Sequence, residues 1–440
     1  MFPADKELSV PTLLTIYGTY ERTSQMKILR VPAYCYPELT ASTHLEEDRQ
    51  QAFAKAGFQV DIHTPTATRG IDKQTYEKYK NIRYEEKYDG KIKIYRFPMF
   101  REGTGVIGRA VRYVLTNLIQ YHKGVKTKGV DTIYAVSTPP TQGLLCAKIA
   151  QKLSKKSRKK VPLIYNLQDV FPDSLVTTGI SKEGSILWKI GRKMEDYTYR
   201  NADRIIVISE SMRENIMNKG VPADKISLIP NWIDTDVTKN IPKQNNPLFE
   251  EFGIPTDKYT VVYAGNFGQA QGADVVLYAA EKLLGYDDVQ FVIFGGGAQF
   301  ETAKAIVIEK NLKNVIINPL LPQDKVPSVY SLGDVAIITT KKGVGNSAMP
   351  SKTWSIMACE TPIIATVDQN SELSNILKSA NAGISVEPEN ADLLAKAILD
   401  MKDTKTSYYG GRDYVLANAS KTVCTQKHVD VIKSQLENTI

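Results

Sequence analysis

The sequence predicts an α/β protein with two Rossmann-like domains, each built on a doubly wound parallel sheet. Three observations lead to that prediction. The 440 residues exceed the size at which one hydrophobic core usually stops growing, so two domains are expected. Short apolar segments alternate with helical patterns along the chain, which is typical of successive βαβ units. Several of those segments end in polar loops that contain glycine, as the strands of nucleotide-binding sheets do.

The predicted strands fall into two series along the chain. The first series comprises residues 27–32, 58–63, 92–96, 131–136, 162–167 and 204–208. The second comprises residues 259–264, 289–294, 314–317, 334–340, 361–366 and 383–387. Between them lies a polar segment, 238–247, without a strand or helix pattern. We expect an interdomain linker there.

These series set the predicted domain limits. We expect a first domain at residues 26–228, a linker at 229–247 and a second domain at 248–415. The segment 416–440 has a helical pattern and is expected to cross back onto the first domain. Residues 1–25 precede the pattern of an opening strand, so they are interpreted as an alternative start or a flexible arm. Two such domains facing each other would bring their strand ends to one central cleft.

Composition indicates a soluble, cytoplasmic protein without a metal centre. Apolar residues make up 42% of the chain and charged residues 24%, which is ordinary for globular proteins. The four cysteines have neither metal-ligand nor disulfide spacing, which suits a reducing compartment. No segment has the pattern of a transmembrane helix or signal peptide. The D-x-D motif at 234–236 follows the linker and not a buried strand, so a turn or helix start is expected there.

Two segments of the first half allow a membrane-surface interpretation beside a plain structural one. Six basic residues crowd between Lys152 and Lys160, as in a solvated loop or in a contact with anionic lipid. The helical segment 106–121 combines apolar positions with Arg109 and Arg112. It suits either a core-facing helix with a basic outer face or an interfacial helix at the headgroups. No nucleic-acid motif accompanies the net charge of +8, so nucleic acid is not expected as a partner.

The most informative motif is V-V-Y-A-G-N-F-G-Q-A-Q-G at residues 261–272. An apolar run ends in glycines and a helical pattern follows, so backbone N–H groups are expected to face outward, as a phosphate site requires. Two further strands end in similar loops, at residues 295–297 and 341–343. The three loops predict a sugar-nucleotide or dinucleotide site. Phe300 stands in place of the third glycine of G-x-G-x-x-G, which disfavours a dinucleotide fingerprint.

A second phosphate-binding candidate begins at Pro350. This proline is expected near the first position of a helix, with Ser351 beside it, so that N–H donors remain free. Lys352 adds a cation. The helix dipole disfavours a lysine in the first turn unless an anion lies nearby. An exposed lysine on a plain first turn is the alternative.

In the first half, candidate residues follow two of the strands. Thr43 and Glu46 have the spacing of a capping box for a helix at 44–56. Either this helix start, with His44, meets a phosphate or an acceptor hydroxyl, or it is a plain cap beside a surface histidine. Gln168 and Asp169 follow the strand at 162–167. The carboxylate of Asp169 is a candidate for orienting an acceptor hydroxyl or stabilising an oxocarbenium-like charge, with a turn cap as the alternative.

Together these motifs resemble those of family 4 glycosyltransferases, which have the GT-B architecture. The resemblance covers about residues 26–400 and is most specific to the subgroup that transfers N-acetyl-L-fucosamine or related amino sugars in O-antigen and capsule assembly. It rests on Q-D-V-F-P-D-S at 168–174, S-L-I-P-N-W-I-D at 227–234, G-N-F-G-Q-A-Q-G at 265–272, P-S-K-T-W-S-I-M-A-C at 350–359 and S-E-L at 371–373.

The resemblance implies retaining transfer from a nucleotide sugar, without a metal, with the acceptor on the first domain and the donor on the second. Asp169 stands at the strand end where many members carry a histidine, and it is predicted to be catalytic together with Lys352. Gln168, Thr43 and His44 are predicted on the acceptor side. The predicted donor-binding residues are Gly265, Asn266, Phe267, Gly268, Gln271, Gly295, Gly296, Lys341, Lys342, Pro350, Ser351 and Glu372.

The sequence departs from the family pattern in ways that reduce its charge. Neutral residues replace charged donor-binding ones, namely Asn266 or Gln269 and Gln271 for an arginine and a lysine, and Ser347 and Ser355 for two glutamates. The segment 40–42, T-A-S, replaces a glycine pair. We interpret the glutamines and serines as subgroup traits. They shift the diphosphate charge onto Lys352, Lys341 or Lys342 and onto backbone donors.

The leading hypothesis is a glycosyltransferase on the cytoplasmic membrane surface. It would move an N-acetylated sugar from a UDP-sugar to a lipid-linked saccharide, and its basic and apolar first domain would contact the inner leaflet. One alternative is a GT-B UDP-sugar epimerase, which needs no acceptor. Another is a non-catalytic nucleotide-sugar-binding partner, which the missing charged residues suggest.

Overall fold

A computed structural model describes residues 26–40, 43–102, 105–177, 179–268, 271–343, 349–404 and 408–437. The predicted extension at 1–25 lies outside these ranges, as do Gln269 and Ser347. The chain divides into two compact units. The first unit comprises residues up to 208, Ile216–Ile229 and the chain from Thr425 onward. The second comprises Ser209–Asn215 and Pro230–Cys424.

The first unit is built around a sheet of eight strands within the described residues. These strands are β1 (Lys27–Arg30), β2 (Gln59–Pro65), β3 (Tyr84–Lys87), β4 (Ile92–Phe97), β5 (Thr132–Val136), β6 (Leu163–Leu167), β7 (Arg204–Val207) and β8 (Ile226–Leu228). Their order in the sheet is β3-β4-β2-β1-β5-β6-β7-β8. Pairing is parallel throughout except between β3 and β4.

Helices connect these strands. They are α1 (Thr43–Lys55), α2 (Lys73–Tyr79), α3 (Val106–Gly124), α4 (Thr141–Ser157), α5 (Asp173–Thr177), α6 (Ile186–Asn201) and α7 (Glu210–Asn218). The division between the units falls within α7, whose first six residues cluster with the second unit. A short 3-10 helix, Ala223–Lys225, precedes β8.

The second unit has a parallel sheet of six strands within the described residues. They are β9 (Tyr259–Asn266), β10 (Val289–Gly296), β11 (Val315–Pro319), β12 (Val335–Thr339), β13 (Ile363–Thr366) and β14 (Gly383–Val386). Their order is β11-β10-β9-β12-β13-β14. The helices are α8 (Leu248–Glu251), α9 (Asp274–Lys282), α10 (Phe300–Glu309), α11 (Val326–Tyr330), α12 (Lys352–Ala358), α13 (Glu372–Ser379), α14 (Ala391–Thr404) and α15 (Gly411–Asn418). Two short 3-10 helices, Lys243–Asn245 and Gln323–Lys325, precede α8 and α11.

Apolar side chains cover both faces of the second sheet. Alternate residues of β9 and β10 belong to two separate clusters, with Val262 and Val292 in one and Val261 and Phe291 in the other. Parallel strands that are buried on both faces have continuous apolar sequences. This burial explains why these strands could be predicted from uninterrupted apolar runs.

The last helix, α16 (Lys421–Glu437), enters the first unit from Thr425 onward. Its His428 is fully buried, and its Nδ1 lies 2.9 Å from the hydroxyl of Tyr134 on β5. Asn166 on β6 donates to the same hydroxyl at 2.9 Å, which leaves the hydroxyl proton for His428. Burial, with the nearby Arg49 and Arg30 guanidiniums, holds the pKa of His428 well below its usual value, so the imidazole is neutral.

The predicted fold class is confirmed as two α/β domains with parallel sheets. Every predicted strand is present within a few residues of its predicted limits. Two strands, β3 and β8, are not predicted from the sequence. The first is a polar, exposed edge strand, Y-E-E-K, and the second has only three residues, so neither has an apolar run.

Candidate active site

The order of strands in the second sheet reverses at β9, whose neighbours are β10 and β12. Open parallel sheets bind ligands beyond the carboxyl ends of their strands at such a reversal. β9 ends at Asn266 and β12 at Thr339. The loops that follow these two strands carry two of the predicted glycine motifs, and the P-S-K segment leads into α12.

Lys352, the first residue of α12, brings its ammonium group to the end of β9. Its Nζ donates to the carbonyl oxygen of Ala264 at 3.0 Å and lies 4.4 Å from the centroid of the Tyr263 ring. A Cβ atom on Gly265 would lie 2.6 Å from that Nζ, so a side chain at this position would displace the ammonium. The Tyr263 hydroxyl donates to the carbonyl oxygen of Asn266 at 3.2 Å, which fixes the ring. Lysine, glycine and tyrosine thus form one packed arrangement.

The charge of Lys352 is poorly compensated by the described residues. Burial lowers the pKa of its ammonium from the ordinary 10.5 to about 8, and no carboxylate counters that effect. A carbonyl oxygen and a ring face stabilise a cation less than an ion pair does. At neutral pH, Lys352 is therefore a protonated cation that a bound anion would stabilise further.

The first glycine loop is held by its own backbone. Phe267 donates its N–H to the carbonyl oxygen of Gly296 at 2.6 Å, and Gln271 donates its N–H to that of Gly268 at 3.2 Å. The Asn266 side chain is exposed, while the Phe267 ring is buried against Tyr263 and Phe300. Phe267 is therefore a packing residue, whereas a ligand could reach the side chains of Asn266 and Gln271, which are among the described residues of this loop.

Gly295 and Gly296 differ in their surroundings. Gly295 is buried, and a Cβ there would collide with the rings of Phe300 and Phe267. Its lack of a side chain thus serves ring packing. Gly296 is half-buried, with Leu320 as the nearest neighbour of a Cβ. A ligand could approach the backbone at Gly296 and not at Gly295.

The two lysines that follow β12 have unequal environments. The exposed Lys342 pairs with Glu387 at 3.7 Å, and its backbone N–H donates to Glu389 at 3.2 Å. Lys341 is half-buried, and its side chain passes close to Gly272. Because a carboxylate lies near Lys342, Lys341 is the better second cation for this edge of the sheet.

Pro350, predicted near the first helical position, lies two residues before the start of α12. Pro350 does not occupy the first helical position, because the helix begins at Lys352 with Ser351 as its N-cap. Ser351 is exposed and makes no side-chain capping bond. The carbonyl oxygen of Pro350 accepts the N–H of Thr353 at 3.1 Å. Pro350 thus shapes the turn that leads to Lys352.

Glu372, predicted to bind the donor, is engaged by protein groups. Its carboxylate accepts the backbone N–H of Glu210 at 2.9 Å and that of Ser211 at 3.3 Å. It also accepts the Ser211 hydroxyl at 3.2 Å. These bonds cap the start of α7. A ligand at Glu372 would have to share the carboxylate with that helix or displace the helix from it.

In the first unit, Gln168 and Asp169 follow β6, as the sequence analysis placed them. Gln168 donates its side-chain amide to Asn166 at 2.9 Å, and its backbone N–H to the Ser137 hydroxyl at 2.9 Å. A polar network that includes Tyr134 and His428 therefore holds Gln168. Asp169 is exposed at the same strand end.

The predicted capping box at the start of α1 is wrong. The Thr43 hydroxyl donates to the carbonyl oxygen of Glu38 at 3.0 Å and accepts the N–H of Thr40 at 2.8 Å. The Glu46 carboxylate binds the guanidiniums of Arg30 and Arg49 and does not turn back to the helix start. Two arginines outcompete a backbone N–H for the carboxylate, because both partners are then charged. His44 is exposed.

The D-x-D motif forms the expected turn. Asp234 accepts the backbone N–H of Asp236 at 3.1 Å and pairs with Lys421 at 3.2 Å. Among the residues that the structure describes, no group of three or more histidine, cysteine or acidic side chains could hold a metal ion. No described helix is long and apolar enough to span a membrane.

Two features of the sites were missed by the sequence analysis. The sequence predicts Tyr263 only as a strand residue, whereas the face of its ring contacts the Lys352 ammonium. Arg30 and Arg49 were not considered, although both are buried near the end of β1. An arginine inside the apolar run K-I-L-R-V was the available signal, because arginine is rarely buried without a specific partner.

Two protein-family models match the chain in succession. The model described as Glycosyltransferase Family 4 matches residues 50–237. The model described as Glycosyl transferases group 1 matches residues 244–433. Together the two matches cover most of both units.

Similar proteins are found in several bacteria. The chain is 24% identical over 378 residues to the putative colanic acid biosynthesis glycosyl transferase WcaI of Escherichia coli. The aligned region covers 85% of this chain and 91% of WcaI. It is 27% identical over 274 residues to the probable glycosyltransferase WbjE of Pseudomonas aeruginosa, covering 61% of this chain and 68% of WbjE.

A solved structure shares the fold over nearly the whole chain. The Anabaena protein HepE in complex with UDP superposes with a TM-score of 0.67 at 15% identity, covering 93% of this chain and 100% of HepE. At this identity the likeness concerns the fold. The shared architecture shows the GT-B fold, and the two successive family matches show that the chain belongs to glycosyltransferase family 4.

Proposed function

We propose that the protein transfers an N-acetylated sugar from a UDP-sugar to a lipid-linked saccharide during the synthesis of a bacterial surface polysaccharide. The names of the similar proteins WcaI and WbjE support a glycosyltransferase, and that of WcaI supports polysaccharide synthesis. HepE, which shares the fold, was solved with UDP. The proposed transfer retains the anomeric configuration, requires no metal and belongs to the amino-sugar subgroup of the family.

The observation that carries this proposal is the poorly compensated cation at the end of β9. In the reaction, the bond between the anomeric carbon and the diphosphate oxygen breaks, and negative charge grows on the departing UDP. The ammonium of Lys352 already lies at the strand end where such ligands bind, held by Ala264 and Tyr263. A fixed cation stabilises this growing charge more than the ground state and so accelerates the reaction.

Backbone groups and neutral side chains would complete the donor site. Asn266 and Gln271 border the glycine loop and can hydrogen-bond the diphosphate or the sugar. The half-buried Lys341 is available as a second cation. This arrangement accounts for a donor site in which the arginine and lysine of the family pattern are missing.

The carboxylate of Asp169 is proposed to act on the acceptor side. It is exposed at the end of β6, and the amide of Gln168 next to it is held by Asn166. An ionised carboxylate can accept a hydrogen bond from the attacking hydroxyl and can stabilise positive charge on the sugar ring. We propose acceptor contacts for Gln168, Thr43 and His44 as well.

The first test combines an assay with a change at Lys352. Purified protein is incubated with a panel of UDP-sugars and a lipid-linked saccharide in EDTA, and the anomeric configuration of the product is determined by NMR. Lys352→Met should lower turnover by about 10²-fold or more, because a charge-stabilising group is lost. Lys304→Met, on α10 beside Glu301, is the matched control. Epimerisation of the donor without transfer, or an unchanged rate in Lys352→Met, would contradict the proposal.

A second test concerns Asp169. Asp169→Asn keeps the size of the side chain and removes its charge, so turnover should fall by about 10²-fold while UDP affinity stays within about twofold. Asp224→Asn, an exposed change in the same unit, serves as the control. Near-normal transfer by Asp169→Asn would remove this residue from the mechanism.

The proposed membrane contact rests on the orientation of α3. Its apolar side chains point outward, with Val114 59% and Leu118 61% exposed. Its polar side chains point inward, since Gln120 donates to the carbonyl oxygen of Pro32 at 2.7 Å and buried Arg112 binds that of Phe100. The apolar face of α3 therefore points away from the core, contrary to the core-facing helix that was one of the two expectations from the sequence. An outward apolar stripe of this kind suits the headgroup region of a membrane.

A second apolar surface lies at the start of α6. Ile186 is 79% exposed, and Leu187 and Ile190 are exposed beside it. Lys189 and Lys193 on the same helix are exposed as well. Exposed apolar and basic side chains thus lie together on α6, which favours an anionic lipid surface as the partner.

The membrane contact is tested by vesicle binding. The double change Val114→Glu/Leu118→Glu should reduce binding to vesicles containing phosphatidylglycerol by about tenfold or more, because two apolar side chains leave the bilayer interface. Ile308→Glu, at a position 79% exposed on α10, controls for the loss of a surface apolar residue. Equal binding of both variants and the unchanged protein would contradict the assignment.

A further inference from the structure

A cavity of about 300 Å³ opens in the first unit beyond the ends of β1 and β5. β1 lies between β2 and β5, so the strand order of the first sheet reverses there, just as that of the second sheet does at β9. Ligands of open parallel sheets bind at such reversals. The polar side chains lining the cavity include Arg30, Arg49, Arg69, Glu38, Glu46 and Tyr34.

Two guanidiniums in the wall share one carboxylate. Arg30 is 1% exposed and binds Glu46 with both terminal nitrogens, one of them at 2.8 Å. Arg49 is 2% exposed and binds the same carboxylate at 3.2 Å. The Nε of Arg30 is buried and has no hydrogen-bond partner among the described residues. Buried charges need close partners of opposite sign, and the single charge of Glu46 does not balance both guanidiniums.

The remaining charged groups around the cavity do not remove this excess. Glu38 already accepts the backbone N–H groups of Thr68 and Arg69, at 2.8 and 3.1 Å, and that of Cys35. Arg69 adds a further positive charge at the rim, where it donates to the Tyr34 hydroxyl at 2.9 Å and lies 3.7 Å from Glu102.

Of the other groups near the guanidiniums, Asp48 adds a negative charge near Arg49, whereas Tyr134 and His428 are neutral. The Tyr134 ring lies under Arg30 at 5.4 Å, and burial raises the pKa of its hydroxyl, so it stays neutral. His428 is neutral as well. Burial and the proximity of Arg49 lower the pKa of Arg30 to about 10, which agrees with a shortage of negative charge. The charge of Arg30 therefore stays incompletely balanced.

We propose that this cavity binds a phosphate group of the acceptor, with Arg30 and Arg49 as its principal ligands. The assignment to the acceptor rests on the proposed transfer to a lipid-linked saccharide. Guanidinium groups present paired donors that match the geometry of phosphate oxygens. The cavity is larger than a phosphate group and has room for an attached sugar. Thr43, predicted on the acceptor side, lines the same cavity.

The test uses inorganic pyrophosphate as the probe, with inorganic phosphate and glucuronate as further arms. The protein is first saturated with UDP, so that the donor site is filled, and binding is followed by calorimetry. Pyrophosphate should bind, and Arg30→Lys, which keeps the charge but loses the paired donors, should weaken binding by about tenfold. Lys352→Met, in the other unit, should leave pyrophosphate binding unchanged.

Because Arg30 is buried in an ion-pair cluster, its substitution can also disturb folding. A second variant therefore tests the cavity with both arginines in place. Thr138 is exposed on the rim of the cavity. Thr138→Trp would narrow the entrance without touching either arginine, and it should also weaken pyrophosphate binding by about tenfold. Thr127→Trp, at a half-buried position outside the cavity, is its control.

The outcomes separate this proposal from the proposed function. If UDP does not bind, the titration is repeated without it, and loss of pyrophosphate binding in Arg30→Lys and Thr138→Trp still supports the site. Binding that persists in both variants, or that disappears only in Lys352→Met, would overturn it. Preference for glucuronate over both phosphate probes would replace the phosphate assignment with a carboxylate. Absence of binding by any probe would also overturn it.

Discussion

The donor half of the proposed site depends on the position of one ammonium group. Lys352 reaches the end of β9, where Gly265 leaves room for its ammonium, since a Cβ there would lie 2.6 Å from its Nζ. The Tyr263 ring supports the ammonium, and Ala264 accepts its hydrogen bond. No carboxylate among the described residues neutralises it, so burial lowers its pKa to about 8. The folded chain thus holds a cation whose natural partner is an anion supplied by a ligand.

The first unit likewise holds incompletely balanced positive charges where the strand order of its sheet reverses. Arg30 and Arg49 share Glu46, and the cavity beside them has more positive than negative groups. An incompletely compensated buried charge reduces stability, and such charges cluster at functional sites. Each sheet of this transferase therefore carries its cations beyond the strand ends at its topological switch point.

Strand positions and the first glycine loop could be predicted because they depend on local sequence. Continuous apolar runs gave β9 and β10, while the polar edge strand β3 had no such signal. The role of Glu372 could not be predicted, because its partners at Glu210 and Ser211 are brought to it only by the fold. Periodicity likewise showed which residues of α3 share a face, but it could not show that Val114 and Leu118 point outward.

The most direct test of the central claim is the pKa of Lys352 with and without UDP. It is measured by NMR on protein with isotope-labelled lysine, and the signal is assigned by its loss in Lys352→Met. We predict a pKa near 8 in the free protein, because burial disfavours the charged form. Saturation with UDP should raise it toward the ordinary 10.5, because a nearby anion favours that form. A pKa that stays unchanged while UDP binds would contradict the account.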